Sequence, residues 1–342
     1  MTAVFCEGAP DRKAETWQRQ LRPFSHLEFA VSDAASGIAR AVADLAEARR
    51  GAPESPALEH GLDLFHTAME AHLALSRRWR HAEAAWERAE AADAKVADAK
   101  RRGADARGAA QAARSAWPGA IASFERAERQ QAAWARAHAA LDLFRADGRL
   151  NDRRHAEAEI AGALRDLTGP DWSKVRRFLN DPRSLGFLDR MHRRLELAEP
   201  RAPWREAMAW RWWLSHRRAS SPDRLTRLIR AVGRDRDLDE SERASSDRVS
   251  AVLSGTFRAS SAVECMNGVL RMQQARHKRM TQPMLDLKRL YWNCHGFRSG
   301  PRREACPYQV MGLDLPTFEF WGLLQADAGE LRQRLSTAGN AG

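Results

Sequence analysis

The chain has 342 residues and carries 56 Lys and Arg side chains against 45 Asp and Glu, which gives a formal net charge of +11 and a pI near 10.3. No apolar run reaches the roughly 18 to 20 residues of a membrane-spanning helix, which argues against a membrane protein. The basic balance, with arginine far commoner than lysine, favours a polyanionic partner such as nucleic acid. The alternative is that an alanine- and arginine-rich composition reflects a GC-rich genome.

Cysteine usage and the start of the chain point to a compartment. None of the cysteines has a partner at the CxxC spacing of a zinc site, and the opening residues lack a secretory signal pattern. Few cysteines without a disulfide framework suit a reducing environment. We therefore expect a soluble cytoplasmic protein.

The first predicted elements surround one aspartate. Arg12–Gln20 has the pattern of a short helix, and Leu27–Ser32 is a run of strand formers that ends at Asp33. Ile38–Arg49 then has helical periodicity. A strand that delivers an acid at its carboxyl end, followed by a helix, is how α/β folds present catalytic carboxylates. The alternative is that Asp33 only caps the helix that follows it.

A second pair of polar residues follows soon after. Asp63 and His66 form a D-x-x-H pair in the stretch GLDLFH, just before a long helical region. They are candidate supporting residues of a site. The alternative for His66 is a half-buried histidine that opens a helix.

The stretch from Met69 to about Asp147 is rich in alanine, arginine and glutamate and poor in strand formers. Gly103 and Gly108 indicate a turn, so we predict two long antiparallel helices with aromatic residues packed between them. The charges alternate in sign, which is typical of a solvated face rather than a DNA groove.

Shorter helices are predicted after this hairpin, with Asp171 as an N-cap. One of them, Pro203–His216, contains Trp210 and Trp213 at i and i+3. We expect both indoles in the core, while the alternative is that interleaved arginine and tryptophan stack on splayed bases. The other predicted helices are Asn151–Leu167, Trp172–Leu179, Arg183–Leu197 and Leu238–Leu253.

A dense arginine segment lies between residues 217 and 236. Arg227, Arg230 and Arg234 repeat at i, i+3 and i+7, which places three guanidinium groups on one helical face. This stripe is the best candidate for DNA contact in the helical region, because arginine pairs well with phosphate. The alternative is an ordinary solvated face.

Near the carboxyl terminus, Arg258–Arg271 reads as a helix that carries an acid. Glu264, Asn267 and Arg271 share one face at i, i+3 and i+7, while apolar residues occupy the neighbouring face. The alternative is an amphipathic helix with its polar side in solvent.

Taken together, these segments resemble bacterial DDE transposases. The pattern S-x-V-E-x-x-N-x-x-L-R around Glu264, followed by Y-W-N-x-H-x-F and P-Y-x-x-x-G, is similar to the C-terminal end of that family. V-S-D-x-x-x-G-I-x-x-A-V around Asp33 resembles the segment that bears the second catalytic aspartate. The pair of Asp63 and His66 is similar to the C/D-x-x-H motif of several transposase superfamilies.

The resemblance implies an RNase H-like core in which carboxylates bind Mg²⁺ or Mn²⁺, with Asp33 and Glu264 as catalytic metal ligands. Their carboxylates are expected within about 8 Å of each other. The first acid of the family should lie on an upstream strand. Asp11 is the only earlier aspartate, and its turn-like context makes it a poor candidate. We therefore expect a truncated, catalytically incomplete fragment, with a reassigned first acid as the alternative.

The resulting fold prediction is a mostly α chain in which a partial RNase H-like α/β core is interrupted by a large all-α insertion. The boundaries are 1–66 and 255–342 for the core and 67–254 for the insertion. The predicted partners are transposon ends and target DNA, with a homo-oligomer possible. A non-enzymatic, basic helical protein that binds DNA or protein is the alternative function.

Overall fold

The computed structural model describes residues 11–33, 35–50, 56–216, 238–256, 281–296 and 304–338. They belong to two compact units, one formed by Trp17–Ser261 and the other by Met1–Thr16 with Ala262–Gly342. Thirteen α-helices and two short strands are found within these ranges, so the prediction of a mostly helical chain is confirmed. An RNase H-like core stays a prediction, because the sheet seen there has only two strands.

The larger unit begins with a strand–helix–strand segment. Helix α1 precedes it, and strand β2 follows helix α2 and pairs in parallel with β1. The predicted strand and both predicted helices are present, each within two residues of its expected ends. The bounds are Ala14–Leu21 for α1, Phe29–Ser32 for β1, Ser36–Arg50 for α2 and Glu59–Leu62 for β2.

The predicted antiparallel hairpin is confirmed as α3, Leu64–Arg101, and α4, Arg107–Ala140. Alanines of both helices are buried along their shared face, and such small side chains let the two backbones approach closely. Aromatic rings fill the edge of the seam, with ring centroids 5.1 Å apart for Trp79 and Phe124 and 5.0 Å apart for Trp86 and Trp117. Gly103 turns the chain with φ +67, as the turn prediction required.

The core of the larger unit lies beyond the hairpin, where shorter helices pack on the end of α4. Trp172 is fully buried there, and its indole N–H donates to the Oε1 of Gln130, 3.0 Å away. Short 3₁₀ turns at Pro170–Trp172 and Pro182–Leu185 precede two of these helices. The helices are α5 Arg153–Leu164, α6 Ser173–Leu179, α7 Gly186–Ala198, α8 Ala202–His216 and α9 Glu240–Ser254.

Two expectations about this region are wrong. Asp171 does not cap a helix: it lies inside a 3₁₀ turn, and its carboxylate is 3.0 Å from Arg77 of α3. Trp210 is not a core residue, since it remains 48% exposed. Trp213 does pack against the core. Its neighbour Trp212 also packs against the core, on the face of α8 roughly opposite Trp210.

The smaller unit contains four described helices. Tyr291 packs edge-on against Phe320, with ring centroids 5.6 Å apart, and Cys306 is buried at the start of a one-turn helix. Among all described helices, none combines the length and apolar character needed to cross a membrane. The bounds are Gln282–Cys294 for α10, Pro307–Val310 for α11, Phe320–Gln325 for α12 and Ala328–Ala338 for α13.

Candidate functional site at the strand ends

Two acids follow the paired ends of the parallel sheet. Ser32 is the register partner of Leu62, and Asp33 and Asp63 are the next residues along their strands. The backbone N–H of Asp63 donates to the carbonyl of Ser32 at 2.9 Å, which fixes the two strand ends together. The structure therefore brings Asp33 and Asp63 to one edge of the sheet, as parallel strands do at their carboxyl ends.

Asp63 is 2% exposed and serves as the N-cap of α3. One carboxylate oxygen accepts from the backbone N–H of Phe65 at 2.9 Å. The other lies 2.5 Å from Nδ1 of His66. An ionised carboxylate can only accept, so Nδ1 carries the proton of this bond. The D-x-x-H spacing thus places a buried acid and a partly exposed imidazole in the first turn of one helix.

Asp33 has a different environment. Its side chain is exposed, and Oδ1 accepts from the backbone N–H of Ala35 at a long 3.4 Å. Within the described residues it forms no ion pair. Its carboxylate is therefore open to a ligand, whereas that of Asp63 is engaged by the cap and by His66.

We call the space in front of these acids the strand-end cleft. It has a volume of about 440 Å³ and is bounded by the strand ends, the start of α3, helix α6 and the second 3₁₀ turn. Its cations differ in how far they are neutralised. Lys174 pairs with Glu70 at 2.6 Å, and Arg183 pairs with Asp181 at 2.6 Å. Arg177 is exposed and has no carboxylate partner in the described part of the chain, so it can meet an anionic ligand.

A network of buried and half-buried side chains links the strand ends to Arg183, which lines the cleft. The Oγ of Ser32 lies 2.8 Å from Nε2 of His60, and a guanidinium nitrogen of Arg183 lies 3.3 Å from Nδ1. Because Arg183 can only donate, Nδ1 is the acceptor and His60 is neutral. Burial, and then the charge of Arg183, hold the pKa of His60 below its ordinary value.

The described side chains of the strand-end cleft offer few ligands for a divalent ion. In the ranges that the structure describes, no three His, Cys, Asp or Glu side chains are arranged to hold a metal. Mg²⁺ is bound by several hard oxygen ligands, and here Asp33 offers one open carboxylate while Asp63 is engaged. These residues do not form a metal site by themselves, so Mg²⁺ or Mn²⁺ stays a prediction that depends on Glu264.

The remaining predicted site residues lie outside the described ranges. These are Glu264, Asn267, Arg271, Arg227, Arg230 and Arg234.

Sequence reasoning missed the network of Ser32, His60, Asp181 and Arg183 and the open cation Arg177. The dipeptide Asp181-Pro182 could have indicated part of this network. It is a typical start of a short helical turn, and such a turn places the side chain of Arg183 beside the acid. No pattern linked that turn to His60, which is far away along the chain. Comparisons of the chain with protein-family profiles, with curated proteins and with solved structures find no match.

Proposed function

We propose that this chain handles DNA in transposition, as a protein of the DDE transposase type, with the strand-end cleft as its phosphodiester site. The observation that carries the proposal is the register of the sheet. It sets Asp33 and Asp63 directly after paired residues, in front of a cleft that also holds an imidazole and an open arginine. Carboxylates at the carboxyl ends of parallel strands are a common catalytic arrangement in α/β folds.

Each side chain of the cleft has a different proposed role, which follows from its chemistry. Asp33 and Glu264 are the residues that would hold Mg²⁺ or Mn²⁺, which when bound polarises a phosphoryl oxygen. Arg177 can hold a phosphate oxygen, because its charge has no carboxylate partner in the described ranges. The bond between Asp63 and Nδ1 orients the His66 ring, which lines the cleft.

Charge supports DNA as the substrate. The net charge of +11 favours a polyanion, and the Arg227, Arg230 and Arg234 stripe offers three further phosphate contacts. The chemical step itself needs a carboxylate besides Asp33 and Glu264, since Asp63 is engaged as a helix cap. We therefore propose DNA binding with little or no cleavage by these residues alone.

A second function is favoured by one observation. The pairing of Asp63 with Phe65 and His66 is fully explained as the cap of a 38-residue helix. On that interpretation the chain is a non-enzymatic, basic helical protein that binds DNA or protein. The two functions differ in whether Asp33 binds a metal.

A metal-binding measurement distinguishes the two proposed functions. Titration of the full chain with Mn²⁺, followed by electron paramagnetic resonance, should show binding that Asp33→Asn and Glu264→Gln each weaken at least about tenfold, or about 1.4 kcal/mol. Asp105→Asn is the matched control. Its side chain is 73% exposed at the hairpin turn, and it accepts from the N–H two residues on, as Asp33 does. Equal Mn²⁺ affinity in all four proteins would reject the transposase-type site and leave the non-enzymatic function.

A further inference from the structure

A second cleft shares no lining residue with the strand-end cleft, and we call it the Trp210 cleft. It has a volume of about 570 Å³, within the range of small-molecule sites. One wall is helix α8, which carries Arg205 and Trp210. The opposite wall is the turn that contains Arg145 and Arg149, closed by a bridge between Phe144 and Leu150.

The indole of Trp210 is a large apolar surface left half in solvent. It is 48% exposed, and within the described residues no other ring packs against it. Trp212, two positions along, is stacked between Phe144 and His216 instead, with centroid distances of 5.6 Å and 4.1 Å. Since α8 already supplies two indoles to the core, Trp210 contributes little to packing. A flat ligand could stack on it.

The charges around this indole favour an anion. Arg205 donates to the backbone carbonyls of Glu199 and Pro200, at 3.0 Å and 3.4 Å, and pairs with no carboxylate in the described part of the chain. Two acids, Asp152 and Glu206, also line the cleft. Against these two acids the cleft lining carries three arginines, Arg145, Arg149 and Arg205, an excess of one positive charge. Asp152 is paired with Arg145.

The turn opposite Trp210 is held in a fixed shape. Gly148 has φ +84, and a Cβ there would lie 2.7 Å from the ring of Trp213. The chain therefore needs glycine both for its backbone angle and for this contact. The N–H of Arg145 donates to the carbonyl of Arg149 at 2.9 Å, which closes the turn. The Nε of Arg145 is buried in this wall and has no hydrogen-bond partner.

We propose that the Trp210 cleft binds one nucleotide unit, with its base stacked on Trp210 and its phosphate beside Arg205. Base stacking on an exposed aromatic ring is tolerant of sequence, and arginine binds phosphate oxygens through two parallel N–H donors. A single strand and a free mononucleotide both offer this base and phosphate, and the probes below distinguish the two sources. The inference extends the proposed function by naming a contact for an unpaired base, and it rests on that function where the strand is DNA.

The test uses the full chain and three probes: fluorescein-labelled (dT)12, a labelled duplex of equal length, and dTMP as a competitor. Trp210→Ala should weaken (dT)12 binding about tenfold, while Trp210→Phe should retain most of it, because phenylalanine still offers a ring. Arg205→Ala should weaken binding and lower the slope of log affinity against log salt by about 0.7 for one lost single-strand phosphate contact.

Two matched variants control for general effects. Trp321→Ala removes an indole that is 67% exposed and does not line this cleft. Arg80→Ala removes an exposed arginine that, like Arg205, bonds a backbone carbonyl, that of Ser76. Both should bind (dT)12 as the wild type does. If dTMP displaces (dT)12 from the wild type but not from Trp210→Ala, the site binds free nucleotides. That result would also support the proposal.

Equal (dT)12 and dTMP affinity in the wild type and both Trp210 variants would overturn the inference. Duplex binding would persist in that case if the proposed function is right, because Trp210 is not part of the strand-end cleft. A different outcome separates the two proposals. If Asp33→Asn binds Mn²⁺ as tightly as the wild type while (dT)12 binding still depends on Trp210, the proposed metal site is rejected and the nucleotide cleft is retained.

Discussion

The carboxylate of Asp63 and the imidazole of His66 lie 2.5 Å apart, and the same carboxylate caps helix α3 through Phe65. Asp63→Ala removes both interactions from a buried position. We expect it to lower the free energy of unfolding by about 3 kcal/mol, from about 1 for the cap and about 2 for a charged hydrogen bond. Asp63→Asn keeps a good capping oxygen but removes the charge. We therefore expect it to lower the free energy of unfolding by about half as much as Asp63→Ala does. Urea unfolding measures both, and equal losses in the two variants would show that the cap contributes nothing.

His60 should make the stability of the larger unit sensitive to acid. Its folded pKa is lowered by burial and by Arg183, so below the ordinary value of about 6.5 the unfolded chain binds a proton that the folded chain does not. The stabilisation is thus complete above about pH 6.5 and is lost as the pH falls. His60→Gln should reduce the difference in unfolding free energy between pH 7.5 and pH 5.5, measured by urea unfolding. His81→Gln, an exposed residue of α3, should leave that difference unchanged.

Glu199 joins three helices from a buried position. It is 1% exposed and accepts from Arg201 at 2.7 Å and from Ser245 at 2.5 Å. These bonds hold the pKa of Glu199 far below its usual range, so its contribution is present above about pH 4.5 and is lost as the pH falls further. We expect Glu199→Gln to lower the free energy of unfolding by about 1.5 kcal/mol at neutral pH, because it loses charge-assisted hydrogen bonds to Arg201, whose side chain is half exposed. Glu196→Gln, on the exposed side of α7, should cost under about 0.5 kcal/mol, and a similar loss in both would contradict this account.

The arginine stripe gives a salt-dependence prediction. Replacing Arg227, Arg230 and Arg234 by alanine should flatten the slope of log duplex affinity against log salt by up to about 3, one for each lost phosphate contact. Fluorescence anisotropy at several salt concentrations measures this slope. Removal of three exposed hairpin arginines should leave the slope unchanged, because the hairpin charges are predicted to be a solvated face. The control residues are Arg80, Arg88 and Arg126. An unchanged slope in the stripe variant would assign the stripe to a solvated face as well.

Much of the fold could be predicted where the local pattern is strong. The hairpin follows from long alanine-rich periodicity and a glycine turn, and β1 follows from its strand formers. Strand β2, with the sequence Glu-His-Gly-Leu, was not predicted because it is short and half polar. Its register depends on packing that the sequence does not display: a Cβ at Gly61 would lie 2.5 Å from the ring of Phe29 on the neighbouring strand.

The candidate site was predictable only in part for the same reason. Asp33 and Asp63 were found because each directly follows or precedes a recognisable element. The role of Asp63 as a buried cap, and the contact of His60 with Arg183, depend on how distant segments meet. Trp210 was misassigned because helical spacing places it near Trp213, while the actual core takes Trp212 and Trp213.

The last prediction concerns catalysis. Phosphodiester cleavage by paired divalent ions needs several carboxylates to hold both ions while the attacking and leaving oxygens are stabilised. Asp33 and Glu264 are the acids that we propose as ligands of the ions, and Asp63 is engaged by Phe65 and His66. Loss of that paired geometry should raise the activation free energy by several kcal/mol. Because about 1.36 kcal/mol corresponds to a tenfold change in rate, the rate falls roughly a thousandfold or more. We expect no detectable cleavage or strand transfer on duplex DNA by this chain in Mg²⁺ or Mn²⁺. Robust cleavage that Glu264→Gln abolishes would show that a further carboxylate completes the site.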